Sequence, residues 1–412
     1  MGKRAFWVGL LFIFQLALAF SWWAPPAFAL TEEQKFFNQA WRILNRSYLD
    51  ETFNHQNWWF VRQKALKKRL KNREDTYGAI EKMLASLDDP FTRLLRPKQY
   101  RSLQVNTSGE LTGIGLQIAV DRKSGYIEVL APIEGSPGFE AGLQTKDLII
   151  EIDGISTLNL TLDEAAARMR GPEGSLVTLS VQRNGGKVVE EIEFTRSRIA
   201  LNPVVADLRL EDGVRPVGYI RLSQFNANAT AEVAKAIARL EEQGADAYIL
   251  DLRNNPGGLL QAGIEIARLW LDEGTIVYTV NRQRTLGSFE ATGNALTDDP
   301  LVVLINRGTA SASEILAGAL QDNNRALLVG EKSFGKGLIQ SLFDLSDGSG
   351  LAVTVAKYET PNRRDIHKLG IMPDKAVSLK VTNLSQLATD ADEQYQAAIE
   401  VLEQEAIVAD AI

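Results

Sequence analysis

From Val217 onwards, apolar runs typical of strands alternate with amphipathic helical patterns. This alternation restricts that part of the chain to a layered α/β core. In such a core, functional side chains gather where a strand ends and the next helix begins. We predict five strands, Val217–Ile220, Ala247–Leu250, Thr275–Val280, Leu301–Ile305 and Ala326–Val329, and three helices, Ala229–Glu242, Leu259–Leu269 and Ala312–Gln321.

Two different patterns precede this core. Between Thr31 and about Leu95 apolar residues recur at helical spacing, and the basic stretch that follows Trp58 is typical of a solvated helix face. Near Leu111 the pattern changes to short alternating runs, which predicts a small sheet interrupted by one helix. We therefore predict an α/β multidomain chain with a leader (1–29), a helical region (30–104), a small β domain (105–190), an α/β core (191–382) and a polar helical tail (383–412).

The first 29 residues have the pattern of a secretory leader. Lys3 and Arg4 precede an apolar run from Ala5 to Phe20, and Ala27-Phe28-Ala29 fits a small-residue cleavage site. The run is shorter than the roughly 20 residues that a membrane-spanning helix needs, which favours a cleaved leader over an uncleaved anchor. We expect an exported protein whose mature form begins at Leu30.

Composition excludes several kinds of site. The chain contains no cysteine, which removes thiol catalysis and thiolate metal sites, and only two histidines, His55 and His367. Its formal net charge is −7, so nucleic acid is not an expected partner. We expect no metal and no cofactor.

Two strand-to-helix turns carry the strongest chemical signal. In the segment NRGTASASE at Asn306–Glu314, Ser311 lies at or near a helix N-terminus. A serine there is commonly an N-cap, whereas a nucleophile would gain oxyanion stabilisation from neighbouring backbone N–H groups. The second turn, DLRNNPGG at Asp251–Gly258, allows close backbone approach at Gly257 and Gly258. Together the two turns favour acyl transfer over a simple helix cap.

A hydroxyl nucleophile needs a base, and neither histidine lies near a recognisable serine or aspartate motif. The remaining candidate is Lys336, in GEKSFGKG at Gly330–Gly337. This segment is not a phosphate-binding P-loop, because Gly337 stands where that motif requires Ser or Thr. A lysine between glycines commonly faces solvent, and it acts as a base only if burial keeps it neutral. Gln340, four residues on, is placed to orient the amine, and Ser–Lys pairs are a known variant of the serine triad.

Four motifs resemble those of the carboxyl-terminal processing peptidases, the tail-specific protease family. The resemblance extends over nearly the whole chain after the leader, and it implies a crotonase-like α/β serine protease core. The motifs, in chain order, are DLRNNPGG at Asp251–Gly258, NRGTASASEILAGALQDNNRA at Asn306–Ala326, GEKSFGKGLIQ at Gly330–Gln340 and GIMPD at Gly370–Asp374.

The resemblance implies catalytic roles for residues in these motifs. Ser311 is the implied nucleophile, Lys336 the general base, and Gln340 the residue that positions the lysine amine. The backbone N–H groups of Gly257 and Ala312 correspond to the oxyanion donors of the family.

Two acidic residues also match catalytic-region positions of the family. Asp322 matches an aspartate of the family's charge relay, although it is equally placed to cap the end of the helix. Glu314, one turn after Ser311, matches a position whose role in the family is less clear.

The small β domain resembles a PDZ domain. Gly113-Ile114-Gly115-Leu116 matches the loop that receives a terminal carboxylate through backbone N–H groups, and Glu134–Leu143 matches a second PDZ signature. The implied mechanism is capture of a substrate's free C-terminus, addition of that peptide as a strand, and cleavage upstream by Ser311.

Within the family, the helical region and LDDPFTRLL at Leu87–Leu95 most resemble the photosynthetic branch. That branch removes the C-terminal extension of the precursor of the photosystem II reaction-centre D1 subunit and thereby permits assembly of the manganese cluster. A leader without a transit peptide implies a cyanobacterial protein of the thylakoid lumen or periplasm. The implied partners are this tailed substrate and, peripherally, the thylakoid membrane, and the implied state is a monomer.

Three alternatives remain open from the sequence. The first is a general periplasmic tail-specific protease, and the second is a non-catalytic PDZ protein that only captures C-termini. The third is an acyl-CoA enzyme of similar core fold.

Overall fold

The computed structural model describes residues 30–410 except 185, 187, 211–214, 284–285, 379 and 381–385. The predicted leader lies outside the described residues. The chain divides into two compact units: residues up to Leu94 with Leu342–Val353, and Leu95–Ser341 with Thr354 onwards. The predicted five-part division of the chain stays a prediction. Within the described residues, every helix is too short or too polar to cross a membrane.

The described residues of the first unit form three helices. The first begins after Thr31, whose side chain and that of Gln34 form a capping box. Its apolar face packs against the third helix. The second ends at Leu66, before most of the basic stretch that follows Trp58. The elements are α1 (Glu32–Ser47), α2 (Trp58–Leu66) and α3 (Arg73–Ala85), and a short strand β1 (Arg93–Leu95) lies at the boundary of the unit.

The second unit opens with a small antiparallel sheet in the place predicted for it. Its helices are α4 (Pro97–Ser108), α5 (Pro137–Glu140) and α6 (Leu162–Met169), and its strands are β2 (Glu110–Gly113), β3 (Leu116–Val120), β4 (Ile127–Pro132), β5 (Leu148–Ile152), β6 (Ile155–Ser156), β7 (Leu176–Gln182), β8 (Val189–Thr195) and β9 (Ser197–Ala200). The strand order is β3-β4-β5-β7-β8, with β6 on β5, while β2 and β9 pair separately at the two ends of the segment. Alternate residues of β4 and β7 fill one core together with Ile149 and Ile152 of β5, between which the register shifts.

The larger part of the second unit is the predicted α/β core. Its strands are β10 (Val204–Arg209), β11 (Val217–Leu222), β12 (Ala247–Asp251), β13 (Thr275–Asn281), β14 (Leu286–Glu290), β15 (Leu301–Ile305), β16 (Leu327–Gly330), β17 (Leu338–Asp344), β18 (Gly350–Glu359) and β19 (Lys375–Ala376), and its helices are α7 (Ala229–Glu242), α8 (Leu260–Arg268), α9 (Ala312–Asp322) and α10 (Glu393–Asp410). The end of β17 and the start of β18 belong to the segment Leu342–Val353 of the first unit. The main sheet has the order β10-β11-β12-β15-β16-β19 and is parallel apart from β10. A second, antiparallel group pairs β13 with β14 and with the end of β18.

Both faces of the main sheet are covered, because successive side chains of a strand point to opposite faces. On β15, Leu301, Val303 and Ile305 face a cluster that includes α7, α8 and α9. Val302 and Leu304 face the other cluster, which includes α10.

The C-terminal segment is a correction to the sequence analysis. We predicted a polar tail without chemistry from residue 383 onwards, but α10 is a layer of the core. Tyr395, Ala398 and Leu402 are buried against the sheet. The buried residues of α10 are interspersed with Glu and Gln along the sequence, so its composition alone gives the helix a polar character.

Candidate active site

The two predicted strand-to-helix turns lie side by side and are cross-linked. They follow β12 and β15, which are parallel neighbours, so both turns emerge at the same edge of the sheet. The Asn254 N–H donates to Asn306 Oδ1 (2.9 Å), and Asn306 Nδ2 donates back to Asn254 Oδ1 (3.1 Å). The Thr309 hydroxyl donates to the Leu252 carbonyl (2.8 Å), and the Ser313 hydroxyl to the Asn255 carbonyl (3.0 Å). The turns therefore form one rigid platform.

Ser311 lies on this platform at the start of α9, as predicted. Its φ is 59° and its ψ is −117°, a strained backbone for a residue with a side chain. Strain of this kind persists only where the surroundings enforce it, and it concentrates at functional sites. In an ordinary cap, the side-chain hydroxyl accepts a hydrogen bond from the N–H three residues later. Here the Glu314 N–H donates to the Ser311 carbonyl instead (2.8 Å). The half-buried serine is therefore more than an ordinary cap.

Glu314 is the centre of the site, a role that sequence reasoning did not assign. Its side chain is fully buried. Carboxylate Oε2 accepts from the N–H groups of Ser311 (2.9 Å) and Lys336 (2.8 Å). Oε1 accepts from the Gly335 N–H (2.7 Å) and the Ser333 hydroxyl (2.5 Å). One carboxylate thus joins the Ser311 turn to the loop that carries Lys336, and four charge-assisted hydrogen bonds offset its burial.

Tyr358 makes a second bridge between the same two residues. Its hydroxyl lies 2.7 Å from the Lys336 carbonyl and 3.1 Å from the Ser311 carbonyl. Burial, with the negative charge of Glu314, raises the pKa of Tyr358 well above its ordinary value. The phenol therefore stays protonated at any working pH and remains a hydrogen-bond donor. The structure brings the backbones of Ser311 and half-buried Lys336 together from two sides.

The loop that contains Gly257 reaches this platform closely. A Cβ added to Gly257 would lie 2.6 Å from the Ala310 carbonyl oxygen and 2.9 Å from both the Ala312 nitrogen and the Ser311 Cβ. The Gly257 N–H donates to Asn255 Oδ1 (2.9 Å), so in this structure the predicted oxyanion donor already has an acceptor. Ala312 is the first residue of α9, where backbone N–H groups lack helical acceptors.

Gly257→Ala is expected to lower kcat/KM for a tailed peptide at least a hundredfold, because the added methyl would displace the Ser311 turn. Gly244→Ala is the matched control. Gly244 has φ 90° where Gly257 has 92°, but nothing lies within 4 Å of its added Cβ. Both variants bear the same backbone strain, so equal losses of activity would show that the contact with Ser311 is not the cause.

Gln340 and Asp322 form hydrogen bonds to residues other than Ser311, Glu314 and Lys336. Gln340, on β17, donates from Nε2 to the buried Thr354 hydroxyl (3.4 Å). Asp322 ends α9, about 16 Å along the helix axis from Ser311. Its carboxylate accepts from the Asn362 N–H (2.9 Å) and pairs with Arg364. The structure therefore does not bring Asp322 to the nucleophile, and we leave it out of the catalytic set proposed below.

His367 lies closer to the site than the sequence indicates. A Cβ added to Gly337 would lie 2.8 Å from the His367 nitrogen and 3.0 Å from its Cβ. The loop before GIMPD thus runs beside the lysine loop, and no motif spacing signals that approach. His55 lies in the other unit.

A buried ion cluster lies beneath the Gly257 loop, and sequence reasoning missed it. The Arg253 guanidinium is inaccessible to solvent and donates in bidentate fashion to Asp251 (2.7 and 3.0 Å) and Asp392 (2.8 Å twice). The Tyr219 hydroxyl donates to Asp251 (2.7 Å), and Gln394 Oε1 accepts from Arg253 (3.2 Å). The only signal in the sequence was the charged pair Asp251 and Arg253 at the end of an apolar strand. Asp392, the residue before α10, belongs to no motif.

The predicted carboxylate-binding loop of the small β domain is held by its carbonyl groups. The Ile114 carbonyl accepts from the Gly138 N–H (2.8 Å), and the Gly115 carbonyl accepts from the Ile133 N–H (2.8 Å) and the Ser136 hydroxyl (3.1 Å). Gly115 has φ 75°, and an added Cβ would lie 2.2 Å from Ser136. Leu116 begins β3, the strand beside which a peptide is predicted to add.

No cluster of three or more potential metal ligands occurs in the described part of the chain.

Comparisons with known proteins agree with these features. Residues 216–377 match the model of peptidase family S41, and residues 128–183 match a PDZ domain model. The carboxyl-terminal-processing protease of Synechocystis sp. is 62% identical, with 98% of this chain and 95% of the relative covered. The chloroplastic carboxyl-terminal-processing peptidase 2 of Arabidopsis thaliana is 47% identical, with 85% and 70% covered.

One solved structure extends the likeness to three dimensions. It is a photosystem II D1 C-terminal processing protease, 41% identical, with a TM-score of 0.56 and 88% of this chain and 99% of that chain covered. The predicted fold class, a helical N-terminal region followed by a PDZ domain and a protease core, is confirmed. The chain belongs to peptidase family S41, among the carboxyl-terminal-processing serine proteases.

Proposed function

We propose that Ser311 and Lys336 are the nucleophile and general base of this protease. The observation that carries the proposal is the double bridge through Glu314 and Tyr358, which fixes the two residues relative to each other. Ser311 Oγ attacks the scissile carbonyl while its proton passes to the neutral Lys336 amine. The protonated amine then gives that proton to the departing peptide nitrogen, and water hydrolyses the acyl-enzyme by the same route.

The oxyanion of each tetrahedral intermediate faces the start of α9. We propose the Ala312 N–H as one donor, since it points outward from the first turn of a helix. The Gly257 N–H is the second donor that we propose. To act, it must break its hydrogen bond to Asn255 Oδ1 or donate to both that oxygen and the oxyanion. Gln340 is proposed to steady the lysine amine from β17.

The proposed substrate is a protein with a free C-terminal tail. The loop Gly113–Leu116 would receive the tail carboxylate, and the chain upstream would reach Ser311. The name of the solved relative supports the precursor of the photosystem II D1 subunit as that protein. Removal of its extension would then permit manganese-cluster assembly. We propose further that the protein is exported to the thylakoid lumen or periplasm, is cleaved from its leader and acts as a monomer at the membrane surface.

The test is cleavage of a peptide that copies the D1 extension, by wild type, Ser311→Ala and Lys336→Ala. We expect cleavage at one bond by wild type and a loss of at least a thousandfold in both variants. His367→Gln, which removes the imidazole beside the lysine loop, is expected to keep activity. Loss in His367→Gln together with activity in Lys336→Ala would replace the Ser–Lys pair with a Ser–His pair.

Substrate and mechanism are separated by the same experiment. Wild type that ignores the D1 peptide but cuts other apolar tails at Ser311 would indicate a general tail-specific protease. Wild type that binds tailed peptides and cleaves none of them would indicate a PDZ protein without catalysis.

A further inference from the structure

The basic stretch that the sequence analysis assigned to a solvated helix face has a second property in the structure. Between residues 52 and 73 the chain has seven Lys and Arg residues and no Asp or Glu, although the whole chain has a net charge of −7. Arg62 and Arg73 are engaged with neighbouring side chains of the first unit. The other five are exposed, and none forms an ion pair within the described residues: Lys64, Lys67, Lys68, Arg69 and Lys71.

Two large aromatic side chains stand next to these cations. Trp59 is 61% exposed and Phe60 is 58% exposed. The core does not need them, because the preceding Trp58 is buried and stacks on Phe53 with ring centroids 4.5 Å apart. Consecutive exposed aromatic residues cost solvation free energy in a monomer unless another apolar phase receives them.

Phe60, which follows Trp59 in the sequence, borders a groove between α2 and α3 of about 300 Å³. Phe60, Val61 and Met83 provide its apolar wall. Lys64 from α2, Lys68 from the segment that follows α2, and Lys82 from α3 stand around it, and among the described residues that line it none is acidic. We name this feature, with Trp59, the basic groove.

We propose that the basic groove is a docking surface for an anionic lipid membrane. An apolar strip with aromatic rings, edged by lysines on flexible stems, matches the boundary between acyl chains and headgroups. Its charge is opposite to that of anionic headgroups and also opposite to the net charge of the protein, so attraction would orient this face towards the bilayer. A protease whose substrate tail emerges from a membrane would then be held at the surface, but the inference does not depend on the protease activity.

The test is co-sedimentation of the purified chain with phosphatidylcholine vesicles that contain or lack phosphatidylglycerol. The N-terminal residue of the purified chain is first determined by mass spectrometry. We expect binding only with phosphatidylglycerol, and weaker binding as salt screens the charges. Lys64→Gln with Lys68→Gln and Lys82→Gln should lower the partition coefficient about a hundredfold, since each cation contributes about fivefold. Trp59→Ala with Phe60→Ala should lower it at least tenfold. The matched control replaces three exposed lysines elsewhere, Lys123, Lys235 and Lys380, by glutamine.

Cleavage of a soluble peptide keeps this inference apart from the proposed protease mechanism. All the groove variants should cleave such a peptide at the wild-type rate and unfold at the wild-type temperature. The proposal is overturned if anionic vesicles fail to bind the chain, or if the control triple weakens binding as much as the groove triple. It is also overturned if the groove variants abolish a dimer seen by light scattering, because the occupant would then be a second copy.

Discussion

Glu314→Gln is expected to lower kcat/KM for a tailed peptide at least a hundredfold and to destabilise the fold by about 2–6 kcal/mol. A glutamine side chain keeps the shape of glutamate but replaces one acceptor oxygen with a donor. At least two of the four donors that point at this carboxylate would then be buried without an acceptor. Each such group costs about 1–3 kcal/mol. Because Oε2 holds both the Ser311 and Lys336 N–H groups, the nucleophile and the base would shift relative to each other.

The measurement combines peptide cleavage with urea unfolding followed by circular dichroism. Glu242→Gln makes the same chemical change at an exposed position of α7 and should leave both quantities unchanged. If Glu314→Gln folds normally and cleaves at the wild-type rate, the bridge through Glu314 does not position the catalytic pair.

Asp392→Asn is expected to lower the free energy of unfolding by about 3–5 kcal/mol, the usual cost of removing one partner from a buried ion cluster. The guanidinium of Arg253 would keep Asp251 but lose its second carboxylate in a site inaccessible to solvent. Because Arg253 directly precedes Asn254 in the turn that carries Gly257, we also expect a lower kcat with little change in KM. Asp390→Asn, two residues earlier and exposed, is the control for urea unfolding and peptide cleavage.

The destabilisation by Asp392→Asn should depend on pH. Burial alone would raise the pKa of Asp392, but its hydrogen bonds and attraction to Arg253 outweigh burial and hold that pKa below the ordinary value. A carboxyl with a depressed pKa stabilises the fold fully above its unfolded pKa of about 3.9, and this contribution disappears as pH falls through the folded pKa. The difference between wild type and variant in urea unfolding should therefore be full at neutral pH and shrink below about pH 4. A difference that is constant down to strong acid would show that charge is not its origin.

The sequence by itself determined the type of every core element that it predicted, but strands β10, β14, β17, β18 and β19 were not among them. Strand β15 has the predicted boundaries, because its continuous apolar run ends at the polar turn residue Asn306. The positions of Ser311 and the Gly257 turn also followed from sequence, since a strand that leads into a helix fixes where a turn residue lies. The motifs identified the family because each demands particular residues at fixed spacing.

Only the tertiary structure decided which distant residues meet. In the sequence, Glu314 is a helix residue one turn after Ser311. The neighbouring residues do not predict that the loop at 333–336 donates hydrogen bonds to its carboxylate. Asp392 lies 139 residues from Arg253 along the chain, yet its carboxylate accepts hydrogen bonds from the Arg253 guanidinium. The two meet because α10 covers one face of the main sheet, which the polar composition of the helix did not indicate. Asp322 illustrates the opposite case, a motif residue that the length of α9 carries away from the nucleophile. The periodicity of apolar residues indicates which face of a segment is buried. Long-range hydrogen bonds depend instead on how the elements pack against one another, and that packing is determined by residues throughout the chain.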